Sequence, residues 1–408
     1  MSRPEARAPR ASGRLLGLDL FRAVAVFGML VAHVGPAAWT PGEGFGTVHV
    51  EWEIFHSRMP AMFAFAAGLS LNLGRAHASG AAQPAVVPTL IRAALLAACG
   101  FALTWLGTPV VVILTSFAVW FVLVLPLRRL GAPALLIVAG AWAVLGPAAS
   151  FLLRRSITLP GNALWDALVA GDYPAMTWMP FVVAGLGVGR LELSSKRIRL
   201  RLAAAGAALI GIGYLLSGLL LSGGLTARIL DTLPAGADGD AAQQFARRFF
   251  AESGVTDTGS WLWLLVPAPH SGSWADVLGC LGVCLLLLAV LLPIGELSRW
   301  AENGRPAGQR AVGLLVTLAA PLGTMVLSVY AAHIVAMAVI TAATGHSFSG
   351  AQSPLMLLGF TLGLMLFSVL WLRRFPRGPL EWLLGRATAV IERMGRRASA
   401  GSTRPSRP

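Results

Sequence analysis

The stretch LLGLDLFRAVAVFGMLVAHVGP, residues 15–36, decides the fold. A run of about 20 mainly apolar residues crosses a bilayer as a helix, so this stretch predicts a membrane span. At about 100° per residue, Asp19, Arg22 and His33 fall on one face of that helix, and Arg22 and His33 are about 16 Å apart along its axis. An ionisable side chain within a span costs at least about 2.5–3.5 kcal/mol. We therefore expect this polar face to point into a helix bundle.

The whole chain has the composition of an integral membrane protein. Apolar residues make up 56% of its 408 residues, charged residues make up only 12%, and the mean hydropathy is +0.71. An ordinary soluble domain carries about twice that share of charge. A soluble enzyme, a disordered protein and a disulfide scaffold are therefore excluded. The three cysteines all fall in apolar runs, where we expect them to pack rather than to form disulfides.

Apolar runs, read against Gly, Pro and charged residues, predict an all-α, polytopic membrane helix bundle with ten spans. The predicted spans are Leu15–Pro36, Phe55–Gly74, Val86–Leu106, Val110–Leu125, Ala132–Leu153, Tyr173–Gly189, Leu202–Leu221, Trp274–Leu292, Leu315–Ala342 and Pro354–Leu372. An even number of spans puts both termini on the same side of the membrane.

The charges of the loops predict which side that is. Short cationic loops stay in the cytoplasm, and one set of alternate loops holds 25 of the 32 Lys and Arg residues, against five in the other. We expect a multi-pass protein of the plasma (inner) membrane with both termini cytoplasmic: a basic N-terminus at 1–14, a membrane domain at 15–372 with an outer loop at 222–273, and a basic, disordered tail at 373–408. Topology accounts for the net charge of +14, so no nucleic-acid partner is expected.

Four histidines are expected at the outer ends of four spans, where they converge on one site. They are His33, His56, His270 and His333. Tyr330 lies three residues before His333 and therefore on the same face of its helix. Chance convergence of packed or solvated histidines is the alternative. We expect no metal, because no His-x-x-x-His or paired Cys/His spacing occurs.

Two further candidates lie between the first and second spans. Arg58, about one turn inside the second span, needs an acid, carbonyl oxygens or an anionic ligand, unless it extends to the membrane surface. His49 lies in the loop near Glu51, whose carboxylate would raise its basicity, although solvated loop histidines are common. Asp19 and Arg22 also have a purely structural interpretation, as an ion pair whose members neutralise each other.

Residues 14–33 resemble the opening helix of the transmembrane acyltransferases related to heparan-alpha-glucosaminide N-acetyltransferase. The likeness is closest to their bacterial relatives with a DUF418 or YeiB-like membrane domain. Short segments in the expected order extend the resemblance over nearly the whole chain; they are 56–68, 172–178, 184–190, 269–272, 329–333 and 378–382.

The resemblance implies a bundle in which acetyl-CoA enters from the cytoplasm and its pantetheine arm reaches toward an acceptor at the opposite face. Arg22, together with Arg75 or Arg190, would then meet the CoA phosphates, with Asp19 beside Arg22.

The resemblance also implies a histidine as general base near the outer face. In the enzyme that names the family, this histidine lies in a His-x-x-Trp setting, which His49-Val-Glu-Trp52 matches, whereas His33 stands where that enzyme has an asparagine. His33 and His49 are therefore rival bases. The groups expected to polarise the reacting carbonyl or to orient the base are Arg58, His270, Tyr330 and His333.

Two functions lead, and a non-enzymatic scaffold is the remaining alternative. The first is a membrane acyltransferase that moves an acetyl or similar group from acyl-CoA to an outward-facing carbohydrate or lipid-linked acceptor. The second is a proton-coupled transporter in which Asp19, Arg22 and His33 form a relay. The sequence has no inverted repeat and no matching pair of broken spans, which argues against transport. The expected partners are the bilayer, acyl-CoA and the acceptor, and a homo-oligomer is allowed.

Overall fold

The computed structural model describes residues 16–73, 86–233, 241–250, 254–294 and 306–402, except for the side chains of 391–402. Most of these residues are helical, and the strands among them form one small hairpin in which strand β1, Trp39–Thr40, pairs antiparallel with β2, Thr47–Val48. The helices are α1 Leu16–Val34, α2 Val50–Glu53, α3 Arg58–Leu73, α4 Val86–Thr104, α5 Leu114–Leu123, α6 Ala132–Ser156, α7 Ala175–Val188, α8 Lys196–Leu230, α9 Ala241–Phe249, α10 Trp274–Leu291, α11 Ala307–Thr324, α12 Val326–Thr344, α13 Pro354–Arg374 and α14 Pro379–Ser402.

The membrane character predicted from the sequence is confirmed. Within the described residues, seven helices are long and apolar enough to cross a bilayer, namely α1, α4, α6, α8, α10, α12 and α13. Helices α5 and α7 are apolar but shorter. The count of ten spans and the cytoplasmic position of both termini remain predictions.

Helix α1 lies in the interior of the bundle, with most of its side chains buried. It packs against α3, α10, α11, α12 and α13. Small residues allow the closest approaches, as is usual between membrane helices. A Cβ atom at Gly323 of α11 would overlap the Asp19 carbonyl oxygen of α1, so only glycine fits at that crossing.

The ninth predicted span, Leu315–Ala342, is interrupted. The chain leaves helical geometry at Met325, with φ −112° and ψ 34°, and α11 and α12 lie on either side of the break. Pro321 lies inside α11, four residues before the break, and its carbonyl oxygen still accepts a hydrogen bond of 3.1 Å from the Met325 N–H. The seventh predicted span, Leu202–Leu221, is longer than expected: α8 begins at Lys196 and continues to Leu230 through π-helical turns and a kink at Gly223 and Gly224.

The basic tail was expected to be disordered, and this expectation is wrong for 379–402, which form helix α14. Its N-terminal part is tied to α12 and α4 by tertiary contacts that composition does not reveal. The Glu381 carboxylate accepts hydrogen bonds from the N–H groups of Leu327 and Ser328, at 2.8 and 3.2 Å, and from the Ser328 hydroxyl. These are the free donors at the start of α12, so α14 caps α12.

The region predicted as the outer loop has a small core of its own. Helix α9 packs through Phe245 onto Trp263, and Leu225 and Ile229 at the end of α8 complete the cluster. Phe250, directly after α9, stacks on Trp39 of the β1–β2 hairpin with ring centroids 5.6 Å apart. The loop is thereby fixed above the end of α1.

Candidate active site

Two histidines form a hydrogen-bonded pair inside the bundle. Nδ1 of His33, in the last turn of α1, lies 3.0 Å from Nε2 of His333, in the second turn of α12, and the two ring planes are within 9° of each other. His333 is almost completely buried, at 1% exposure. One ring must donate and the other accept, so the pair holds the two imidazoles in a fixed relative orientation.

Tyr330 completes this group, as its spacing to His333 predicts. Its ring meets the His333 ring edge-on, with centroids 5.2 Å apart. Its hydroxyl accepts a hydrogen bond of 3.2 Å from the backbone N–H of Ile113, just before α5. Tyr330 thus ties α12 to the start of α5.

A cavity of about 460 Å³ opens beside the pair, and we refer to it as the histidine cavity. The polar side chains that line it include those of His33, His56, Ser57, Asp172, Tyr173, His270 and Tyr330. Three of the four histidines expected to converge therefore face one cavity, and the fourth, His333, is bonded to His33 behind its wall.

His270 is held by aromatic neighbours and by an unusual backbone. Its φ of 61° lies in the left-handed region, and its ring contacts Tyr173 and Trp178 at centroid distances of 4.8 and 5.2 Å. Asp172, adjacent to Tyr173, lies on the same wall. Burial, with a smaller contribution from the charge of Asp166, raises the pKa of the Asp172 carboxyl above its ordinary value.

Asp276 of α10 organises the wall from behind. Its carboxylate accepts a hydrogen bond of 2.6 Å from the Ser57 hydroxyl and one of 3.1 Å from the Gly272 N–H, and all three groups are buried. Ser57 itself has a positive φ of 64°, a conformation that needs such support in a residue other than glycine. Asp276 therefore fixes both the start of α3 and the loop that carries His270.

Arg58 does not face the histidine cavity, contrary to the role expected for it. Its guanidinium donates to the Glu53 carboxylate at 2.9 Å and to the carbonyls of Glu53 and His56 at 3.0 and 3.1 Å. It also lies over the Tyr214 ring, 4.6 Å from the centroid. The acid and the carbonyl oxygens satisfy the charge, so Arg58 holds the turn before α3 and is not placed to polarise a substrate.

His49 also lies away from the cavity. It sits at the end of the β1–β2 hairpin with its side chain 35% exposed, 3.4 Å from the Thr40 hydroxyl and 3.9 Å from Glu51. His49 is therefore a solvated loop histidine, which is the alternative that the sequence left open. The geometry favours His33 over His49 as the general base.

A second cavity, of about 240 Å³, lies along the other half of α1, and we refer to it as the arginine cavity. Its lining is apolar except for Ser70, Tyr330 and the ionisable side chains of Arg22, Arg92 and Glu381. Arg22 donates to the Ser70 hydroxyl at 2.7 Å and to the Asp19 carboxylate at 3.3 Å.

Of the other residues expected at the CoA phosphates, the two that the structure describes, Asp19 and Arg190, do not line this cavity. Asp19 is paired with Arg22 as expected but faces α11 and α13. Arg190 donates to the carbonyl oxygen of Arg128 at 2.6 Å. Arg75 lies outside the described residues.

Two residues, Tyr330 and Ile113, line both cavities. The hydrogen bond between them therefore lies in the partition that separates the histidine cavity from the arginine cavity. Arg22 faces one cavity and His33 the other, so the polar face of α1 borders both sides of this partition.

Comparison with known families supplies the context for this geometry. The family described as heparan-alpha-glucosaminide N-acetyltransferase, catalytic, matches residues 14–217, half of the chain. The chain belongs to this family. A second model, described as a protein of unknown function (DUF418), matches residues 235–391, and the resemblance drawn from residues 14–33 is confirmed. No curated protein matches the chain in a sequence search.

In this member of the acetyltransferase family, the candidate site is shared by both matched parts. His33 and Ile113 belong to the first part, whereas His333, Tyr330 and Glu381 belong to the second. Sequence reasoning missed Ile113, Asp276, Glu381 and Asp172. An acid in the first turn of a very apolar helix was the available signal for Asp276, since such a group must be paired.

Proposed function

We propose that this protein is an integral membrane acyltransferase that moves an acetyl or similar acyl group from cytoplasmic acyl-CoA to a carbohydrate or lipid-linked acceptor on the opposite side. The observation that carries the proposal is the pair of cavities that meet at Tyr330 and Ile113, with guanidinium groups lining one and the imidazoles of His33, His56 and His270 lining the other. Membership of the acetyltransferase family supports the reaction class. The donor, the acceptor and the side of the membrane are part of the proposal.

The arginine cavity is suited to the donor. Guanidinium groups bind phosphate well, and Arg22 and Arg92 face a space that is otherwise almost wholly apolar. A cavity of about 240 Å³ accommodates a narrow pantetheine arm rather than a nucleotide. The phosphates would therefore stay at the rim with Arg22 and Arg92, and the thioester would lie at the partition, next to Tyr330. Asp19 would hold Arg22 in position, and Arg75 and Arg190 remain candidates for the outlying phosphates.

The histidine cavity is suited to general base catalysis. In the tautomer in which Nδ1–H of His33 donates to Nε2 of His333, Nε2 of His33 is the basic nitrogen, and we assign it to take the proton of an acceptor hydroxyl or amine. The acceptor atom then forms a bond to the thioester carbonyl carbon, the C–S bond breaks, and the CoA sulfur takes the proton from the His33 imidazolium. The proton count balances, so the cycle needs no outside acid. The Tyr330 hydroxyl and His270 line the same cavity, and they are the groups proposed to bind the carbonyl oxygen and the acceptor.

Acetyl-CoA turnover by the purified chain tests the assignment. Positioned general bases contribute about 10²–10⁴-fold, so His33→Ala should lower transfer or hydrolysis of radiolabelled acetyl-CoA by that factor. His49→Ala is the matched control and should keep the parental rate, because that ring lies in the hairpin outside the cavity. Full turnover by the His33→Ala protein would refute the assignment of His33.

Proton-coupled transport is the second candidate, and the partition is the observation that favours it. Two cavities separated by one tyrosine side chain also suit a substrate that passes from one to the other. Uptake into proteoliposomes that contain no CoA would support transport. Thermal stabilisation by CoA would support the transferase, because a ligand that binds only the folded protein raises its apparent stability.

A further inference from the structure

Helix α14 has one exposed face of unusual composition. Trp382, Leu383 and Val390 are 50, 47 and 45% exposed, and the guanidinium of the exposed Arg386 lies 5.4 Å from the centroid of the Trp382 ring. At about 100° per residue, these four positions fall within an arc of about 100°. Large apolar groups and a cation thus share one side of the helix.

The acid of this segment lies on the other side. Glu381 bonds to the start of α12, Leu384 lines the arginine cavity, and Thr388 is buried. The sequence continues this separation of cations from acids. At helical spacing, Arg393 and Arg397 fall on the side of the exposed arc, and Glu392 falls on the side of Glu381. An apolar and cationic arc that lacks acids is typical of helices that lie in a membrane interface.

The preceding span shows where that interface is. The outward face of α13 exposes leucines at four-residue intervals, Leu362, Leu366 and Leu370, as expected of a lipid-facing stripe. The helix ends with a chain of aromatic rings, Trp371 and Phe375, 4.6 Å apart, beside Arg373 and Arg374.

Aromatic and cationic residues at the end of a span mark headgroup depth. The indole N–H of Trp371 donates to the Arg377 carbonyl at 2.9 Å, which holds the connection to α14 close to the end of α13. Helix α14 begins at Pro379, so Trp382 lies next to this aromatic group in the sequence.

We propose that α14 is an interfacial helix that binds the anionic lipid headgroups of the leaflet where α13 ends. Trp382, Leu383 and Val390 enter the headgroup layer, and Arg386 pairs with lipid phosphates. A lipid surface is chosen over a protein partner because α14 directly follows the aromatic and cationic end of α13, to which its connection is bonded, and because the charge of its exposed arc is complementary to anionic lipid. The proposal does not depend on the enzymatic activity.

The proposal has a structural consequence for the arginine cavity. Glu381 and Leu384, on the inward face of the same helix, form part of its wall. Lipid bound to the outward face would therefore hold that wall, and with it the cap on α12, in the position described.

Fluorescence of the full-length chain in nanodiscs tests the proposal. An environment-sensitive label at Leu383→Cys is compared in phosphatidylcholine alone and in phosphatidylcholine mixed with phosphatidylglycerol. With the anionic lipid we expect a blue shift and protection from acrylamide, both reversed by high salt. Ser194→Cys, exposed in the polar turn before α8, is the matched control and should stay accessible in both lipids. The unsubstituted chain measures the background from its three cysteines.

Arg386→Gln in the Leu383→Cys background tests the role of charge. One arginine near an anionic surface contributes about fivefold to surface binding, so docking in the mixed lipid should weaken by about that factor. A label at Val390→Cys, two turns along the same arc, should respond in the same way, which separates docking of the face from a local effect of substitution at Leu383. Equal quenching of Leu383→Cys and Ser194→Cys in both lipids would overturn the proposal, as would a shift that Arg386→Gln leaves unchanged.

Discussion

Two substitutions of Tyr330 should separate the contribution of its hydroxyl from that of its ring, and only loss of the ring should open the partition between the two cavities. Tyr330→Phe removes only the hydroxyl that accepts the Ile113 N–H, at 3.2 Å, and leaves the ring in place. A buried N–H without an acceptor costs about 1–3 kcal/mol. Because Ile113 borders both cavities, water is able to replace the hydroxyl, and we expect the free energy of unfolding to fall by about 1 kcal/mol. Thermal unfolding in detergent measures this step.

Tyr330→Ala removes the ring as well. Large-to-small substitutions of buried aromatic residues cost about 3–5 kcal/mol, so the melting temperature should fall further. More important for the architecture, the two cavities should become continuous. The phenylalanine variant should keep them separate, because its ring still fills the gap.

Thiol accessibility in proteoliposomes measures the opening directly. Ala32→Cys places a reporter in the histidine cavity, and Ala67→Cys places one in the arginine cavity. A charged, membrane-impermeant thiol reagent, added on the side of the arginine cavity, should reach Ala67→Cys in every background but should reach Ala32→Cys only when Tyr330 is alanine. Samples are compared below the melting temperature of the least stable variant. If Ala32→Cys stays unreactive in the Tyr330→Ala protein while Ala67→Cys reacts, Tyr330 does not form the partition.

Three further outcomes are expected. Because the pKa of the Asp172 carboxyl is raised, the folded protein binds this proton more tightly than the unfolded chain does. The stabilisation that this provides is present below the ordinary pKa of about 3.9 and is lost as pH rises through the pKa of the folded protein. The melting temperature of the parent relative to that of Asp172→Asn should therefore rise toward acid pH, and a difference that does not change with pH would contradict this. Gly323→Ala should strongly destabilise the folded protein, because its Cβ would overlap the Asp19 carbonyl oxygen. Gly359→Ala has open space at its Cβ and should leave stability unchanged or raise it by up to about 1 kcal/mol. Equal melting temperatures of the two variants would refute the close crossing. Glu381→Ala should cost about 0.5–2 kcal/mol by uncapping α12, and Glu381→Gln should retain part of that stability because its amide oxygen still accepts; the order of the two melting temperatures checks this.

The sequence predicts the seven helices that are long and apolar enough to cross a bilayer, because apolar runs of sufficient length leave few alternatives there. It also singles out His33, Tyr330 and His333 as candidates, since polar groups inside apolar runs are conspicuous. It does not predict which of them meet. The contact between His33 and His333 spans 300 residues and depends on how α1 and α12 pack, which no local pattern encodes.

Arg58 shows a second reason why the sequence does not predict the arrangement of the site. Its need for an acid and carbonyl oxygens is predicted correctly, but its partner, Glu53, is only five residues away and removes it from the site. Tyr214 reaches Arg58 through a π-helical turn, which the periodicity of α8 does not reveal. The helical tail was missed because its stability depends on the hydrogen bonds of Glu381 to α12 and not on its basic composition.

The break at Met325 connects these features physically. Before the break, α11 follows α1 closely, and Gly323 permits the contact with the Asp19 carbonyl. If α11 continued straight past Met325, the residues after it would pack against the same neighbouring helices as α11 does. Because the helix restarts at Val326, its first N–H groups are free to receive Glu381, and its next turn brings Tyr330 to Ile113. The interruption at Met325 is thus what allows one stretch of chain to pack along α1, form the partition and place His333 against His33.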